Sequence, residues 1–184
     1  MTREDVIEMI KNRKTKLDLS YEYLNGLDLS GLDLSGADFT NADLEDANLE
    51  NADLSEANFY EANLENTNLK GANLKDANLY GVWFKKANLE GINLRCANLS
   101  GANLESADLS GANLEWANLM YLNIKGANLK NANLRCANIS RSILEGANLE
   151  NANFENANLY RANLRNVKTI GTKFVGANLE EIKD

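Results

Sequence analysis

The sequence predicts an all-β solenoid, and three observations predict it. Every fifth residue from Leu19 to Leu179 is Leu, Ile or Phe with one exception, Thr169, so 33 pentapeptides follow one another without a shift of phase. Two residues before most centres stands Ala, with Asn or Asp between, as in Ala42, Asp43 and Leu44. The remaining two letters, often Glu-Gly, Glu-Asn, Lys-Gly or Ser-Gly, have turn chemistry. A small, a polar and a large apolar residue in series read as in, out, in along a strand of about three residues, because side chains alternate faces. A period of five fits neither the helix nor the coiled coil, and a bundle would scatter the leucines around each helix. Each unit can therefore bury its Leu and Ala only by stacking on the coils before and after it.

The stretch ADLEDANLENADLSEANF, residues 42–59, resembles the pentapeptide-repeat family, and the resemblance runs from residue 19 to 179. It implies a right-handed quadrilateral parallel β-helix with four pentapeptides, or 20 residues, per coil, and features of this chain recur at that spacing or its double. Phe39 would stack on Phe59 and Phe154 on Phe174, while LRCAN occurs at 94 and again at 134. Glu65, Lys85, Glu105, Lys125, Glu145 and Arg165 alternate in sign at steps of 20, which predicts opposite charges side by side in neighbouring coils. Leu17 to Glu181 would make roughly eight coils, a rod of about 40 Å.

The ends need separate accounts, because a solenoid leaves an unpaired strand edge at each. Thr2, with Asp5 three residues on, predicts a capped helix over residues 2–13, whose Val6, Met9 and Ile10, with Ile7 beside them, lie over the first coil. Residues 1–16 are thus expected as a helical cap and 17–184 as the β-helix. At the carboxyl end VKTIGTKFV puts Thr169 at a centre and Ile170 and Val175 at corners. Val167, Ile170, Phe174 and Val175 form a candidate surface for a homodimer through the last coil; the other reading is a frayed end shielded by Lys168, Lys173 and Lys183.

Composition argues against catalysis. Histidine is absent, and the two cysteines, Cys96 and Cys136, cannot complete a four-ligand zinc site. No metal or cofactor is expected. In the 20-residue register the thiols sit two coils apart, with α-carbons about 9–10 Å apart, too far for a disulfide. No apolar run approaches the roughly 18 residues of a membrane span, and the charged amino end is unlike a signal peptide. A cytoplasmic, unanchored protein is the expectation.

Under the same register Tyr60, Tyr80 and Tyr160 share a file with Met120; Tyr21 and Tyr121 lie in the next, with Arg141 and Arg161; Tyr23 and Trp83 lie two further on. Trp83 stands where the repeat has Asn, and Lys85 and Lys86 follow it. Tyr, Trp, Met and Arg are enriched in protein interfaces. The expected function is a non-catalytic scaffold binding a partner protein through this face, with Tyr60, Tyr80, Trp83, Lys85, Lys86, Met120, Tyr121, Arg141, Tyr160 and Arg161 as candidates. The competing account is that stacked rings merely join neighbouring coils.

The net charge of −8 is unevenly spread: residues 18–69 hold thirteen acids and no base, whereas residues 70–179 hold thirteen bases and eight acids. Some members of the family bind DNA gyrase in place of DNA, so the resemblance implies gyrase mimicry as a second function, and only the acidic first coils suit it. Direct nucleic-acid binding is not expected, because the basic excess is small and interleaved with Glu105, Glu115, Glu145, Glu150 and Glu155. The unequal ends also suggest a third reading, a self-associating rod.

Overall fold

The computed structural model describes all 184 residues. One helix, α1 (Arg3–Asn12), precedes a continuous stack of short parallel pairings. Each pairing joins residue i to residue i+20: Asn48 pairs with Asp28 below and Asn68 above, and the register holds from Asp18 to Lys183. Four such files run along the molecule, one for each pentapeptide of a 20-residue turn. In each three-residue side, only the polar middle residue is fully bracketed. The Asn48 amide donates to the Leu27 carbonyl at 2.9 Å, and its own carbonyl accepts from Leu29 at 2.7 Å.

The corners explain the other two letters. Ala52 donates back to the Leu49 carbonyl at 3.1 Å, closing a turn in which Asn51 has φ 56. The same corner position is left-handed in every unit from Tyr21 to Glu181, and all twelve glycines of the chain occupy it. Glycine enters that region without strain, and Asn and Asp tolerate it. Tyr21, Lys86, Cys96, Trp116, Tyr121, Cys136, Arg141 and Arg161 adopt it too, against their local preference.

Inside the tube the centres and the small residues form one continuous core. The phenylalanines stack as the spacing predicts, Phe39 on Phe59 at 4.6 Å and Phe154 on Phe174 at 5.3 Å between ring centroids. Leu122 occupies a slot that usually holds Ala, and Ser142 sits above it. The Ser142 hydroxyl accepts from the Leu122 amide at 2.9 Å and donates to the Leu119 carbonyl at 2.7 Å, so the smaller residue brings its own satisfied hydrogen bonds. Thr67 and Thr172 make the same donation, to Leu44 and Leu149.

On the outside, the asparagines form directional amide ladders. Asn88 donates through Nδ2 to Asn68 Oδ1 at 3.0 Å, Asn68 to Asn48 at 3.1 Å, and Asn48 to Asp28 at 3.1 Å. Each Oδ1 also accepts the backbone amide two residues on, as Asn48 does from Glu50. In these ladders each side-chain amide points its donor toward the amino end. The lowest rungs are aspartates, Asp28, Asp38, Asp43 and Asp53, which only need to accept.

Helix α1 closes the amino end. Thr2 accepts from the Asp5 amide at 3.2 Å while the Asp5 carboxylate accepts from the Thr2 amide at 2.7 Å, a complete capping box. Val6 is fully buried, Met9 and Ile10 pack on the core, and Ile7 turns to the outer side beside Glu4 and Lys11. Bases of the cap reach the first two coils: Arg13 to Asp33 at 2.7 Å, Lys16 to Asp38 at 3.3 Å and Arg3 to Asp28 at 3.4 Å, and Arg3 also donates to the Ser30 carbonyl at 3.1 Å.

Two expectations are corrected. The alternating file from Glu65 to Arg165 closes only one rung, Lys125–Glu145 at 3.2 Å. Other coil-to-coil pairs form in other files, Lys70–Glu90 at 2.8 Å, Lys130–Glu150 at 3.0 Å, and Arg95 and Arg135 on Glu115 at 3.5 and 2.8 Å. Spacing brings Cα atoms together, but an exposed pair is worth about 0–1 kcal/mol and does not fix two long side chains. The carboxyl end is not frayed: Lys168, Lys173 and Lys183 pair in register with Asn148, Asn153 and Asn163.

Candidate protein-interaction face

Register alone gathers the aromatic residues. Tyr60 and Tyr80 stand one coil apart, rings parallel to within 7° and 5.5 Å between centroids. The Tyr60 hydroxyl is pushed above its ordinary pKa by the neighbouring Glu61 carboxylate. Glu61 in turn lies over Gly81, whose missing side chain leaves room: a Cβ there would stand 3.3 Å from Glu61 Cγ. Asn41, Glu61, Asn63, Gly81 and Trp83 line one shallow concavity, and Tyr60, Asn78, Tyr80 and Asn98 line another; Tyr80 and Gly81, one from each, are consecutive in the chain.

Trp83 is 57% exposed, between the fully buried Val82 and Phe84. It interrupts an amide ladder. Asn63 donates to Asp43 at 2.9 Å, but the next rung, where an amide would donate to Asn63 Oδ1, is the indole. Above the gap the ladder resumes with Asn123 donating to Asn103 at 3.1 Å. Trp83 therefore costs the scaffold a cross-coil hydrogen bond, which ring stacking between coils does not explain. Lys85 is half-buried and Lys86 exposed at the following corner.

The upper part of the face is built differently. Arg141 donates to the Tyr121 hydroxyl at 3.0 Å and lies 5.7 Å from that ring, while Arg161 lies over Tyr160 at 5.0 Å and donates to Glu181 at 2.6 Å. The Tyr160 hydroxyl also donates to Glu181, and the hydrogen bonds from Arg161 and Tyr160 hold this carboxyl below its usual range. Met120 and Tyr160 are half-buried. These residues satisfy one another, whereas Tyr60 meets only Tyr80 and the Glu61 carboxylate, and the Trp83 side chain makes no hydrogen bond.

At the last coil Ile170 and Val175 are 78% and 75% exposed, while Val167 and Phe174 pack on the core from its end. Cys96 is exposed and Cys136 half-buried, both as free thiols, in the file that holds Trp116 between them. No group of three or more His, Cys, Asp or Glu side chains is placed to hold a metal ion. No helix is long and apolar enough to cross a membrane.

Fold and surface together define a repeat solenoid with exposed side chains displayed on fixed files. The family model for pentapeptide repeats matches in eight copies over residues 23–55, 57–95, 97–135 and 132–168, and the chain belongs to that family. Among solved structures, a trypsin-treated form of QnrB1, a plasmid-mediated fluoroquinolone resistance protein, is similar at a TM-score of 0.74. It shares 23% identity, over 94% of this chain and 84% of that one, a likeness of fold alone. HetL, a pentapeptide repeat protein involved in heterocyst differentiation regulation in Nostoc sp. strain PCC 7120, shares 28% identity over 100% of this chain and 94% of its own, at a TM-score of 0.43. A pentapeptide repeat protein of the Arabidopsis thaliana thylakoid lumen shares 33% identity over 61% of this chain and 71% of its own, at 0.47. Among curated proteins none matches.

Proposed function

We propose that the chain is a non-catalytic scaffold that binds a partner protein through the aromatic face, with Tyr60, Tyr80 and Trp83 at its centre. The scaffold in this reading is a right-handed, four-sided tube of roughly eight coils, residues 17–184, capped by residues 1–16; the uniform register and the four pairing files support it. The observation that carries the function is Trp83, exposed at the cost of a ladder rung. A rigid surface loses little conformational freedom on association, which favours affinity. Replacing Tyr80 and Trp83 together with Ser is expected to abolish capture of the partner while the fold, followed by circular dichroism, is unchanged. Undiminished capture by the double variant rejects this face.

A second reading, gyrase binding by DNA mimicry, is favoured by one observation. The eight carboxylates Asp43, Glu45, Asp46, Glu50, Asp53, Glu56, Glu61 and Glu65 enter no ion pair, so their field is not neutralised within the molecule. It predicts inhibition of gyrase supercoiling at micromolar protein; absence of any effect there removes it.

A further inference from the structure

We infer that the lower half of the aromatic face takes an arginine-bearing segment of the partner, with a guanidinium seated between Trp83 and Glu61. The inference rests on the scaffold reading above and assigns the chemistry of what docks. Three features of the concavity converge on that group. Trp83 offers an exposed indole face, which attracts a cation through its quadrupole and stacks well on a planar guanidinium. Glu61 packs its Cγ against Gly81 at the same concavity, and its carboxylate, beside the Tyr60 hydroxyl, enters no ion pair and keeps oxygen lone pairs for a charged donor. Asn63 Oδ1, which accepts only the Glu65 amide at 3.1 Å because Trp83 replaces the next rung, keeps accepting capacity on the same lining.

The surroundings set the sign. The coils around and below Glu61 carry unpaired carboxylates, among them Asp43, Glu45, Asp46 and Glu65, which draw a cation toward the site and repel an acidic segment. Lys85 and Lys86 oppose a cation at the next corner after Trp83, so the ligand approaches from the Glu61 side. The upper half of the face is not equivalent, because Arg161 and Tyr160 close on Glu181 and Arg141 closes on Tyr121. Lysine has the charge but not the planar fork, so arginine is the better fit.

The test uses fluorescein-labelled octa-arginine and octa-lysine, with binding to the full chain followed by anisotropy at low and moderate salt. Octa-arginine is expected to bind more tightly than octa-lysine and to weaken as salt rises. Trp83→Asn, which restores the residue the ladder uses and so keeps the fold, should weaken octa-arginine about tenfold. Glu61→Gln should weaken it about threefold, Lys86→Glu should strengthen it, and Glu150→Gln, in a different file, should leave it unchanged. Equal affinity of wild type and Trp83→Asn, equal affinity for the two peptides, or no binding overturns the inference. If the peptide fails while the Tyr80 and Trp83 double replacement still abolishes partner capture, the scaffold reading stands and only the arginine chemistry falls.

Discussion

Phe59→Ala is expected to lower the unfolding free energy by about 3–5 kcal/mol, measured by urea or thermal denaturation. Phe59 is fully buried and stacks on Phe39 with rings 5° from parallel. Its neighbours cannot collapse into the space, because the walls above and below are pinned: the Phe39 amide donates to Asn58 and the Phe59 amide to Asn78, both at 2.7 Å. The void therefore persists, and lost contacts add to lost transfer energy. Phe59→Leu should cost less than about 1.5 kcal/mol, since leucine fills this file at Leu79 and Leu99 with the same walls. Equal costs for the two replacements would contradict a rigid, closely packed interior.

Acid should undo the amino end first. Asp38 accepts from the Thr40 hydroxyl at 2.6 Å, the Thr40 amide at 3.0 Å and Asn58 Nδ2 at 3.1 Å, and its second oxygen meets Lys16. Burial acts to raise its pKa, but the Thr40 hydrogen bonds and Lys16 outweigh it and hold the carboxyl below the usual range. Asp18, Asp28 and Asp33 are lowered as well, chiefly by the hydroxyl and amide of the serine two residues on. A carboxyl that titrates lower in the folded state gives its full stabilisation above the unfolded value of about 3.9, and loses it as pH falls through the folded values. Thermal stability should therefore be flat above about pH 5 and fall below about pH 4. Asp38→Ala, which removes every one of these acceptors, should cost about 2–3 kcal/mol at neutral pH and reduce the acid dependence. Asp38→Asn, keeping an acceptor for Thr40, should cost less. An acid profile identical in the wild type and both variants would sink this account.

Much of the architecture could be read from the letters, because a tube imposes its period directly. The five-residue phase, the inward Leu and Ala, the capping box of Thr2 and Asp5, and the stacked Phe39 and Phe59 all follow from which side chains must be dry. What could not be read depends on rotamers. The spacing from Glu65 to Arg165 promised a file of ion pairs, yet Glu145 meets Lys125 and also accepts from Asn163 at 3.4 Å, while Glu50 accepts from Asn68 at 3.1 Å. The middle Asn of each unit was visible, but its role as a cross-coil donor was not. That role is what turns Trp83 from an irregular letter into a broken rung.

The one-way orientation of the amides also bears on how such a protein changes length over generations. A tract of whole turns copied and spliced back into the middle finds a donor and an acceptor waiting at both seams, and LRCAN, repeated 40 residues apart, has the spacing such a tandem copy would leave. A copy of another multiple of five keeps the backbone pairing but moves side chains to different files, whereas one out of phase with the pentapeptide turns the leucines out of the core. Insertion of whole turns thus lengthens the rod in increments of about 4.8 Å with its files kept, and the aspartates of the first two turns, which accept from above and offer no amide to what lies below, have to remain at the foundation.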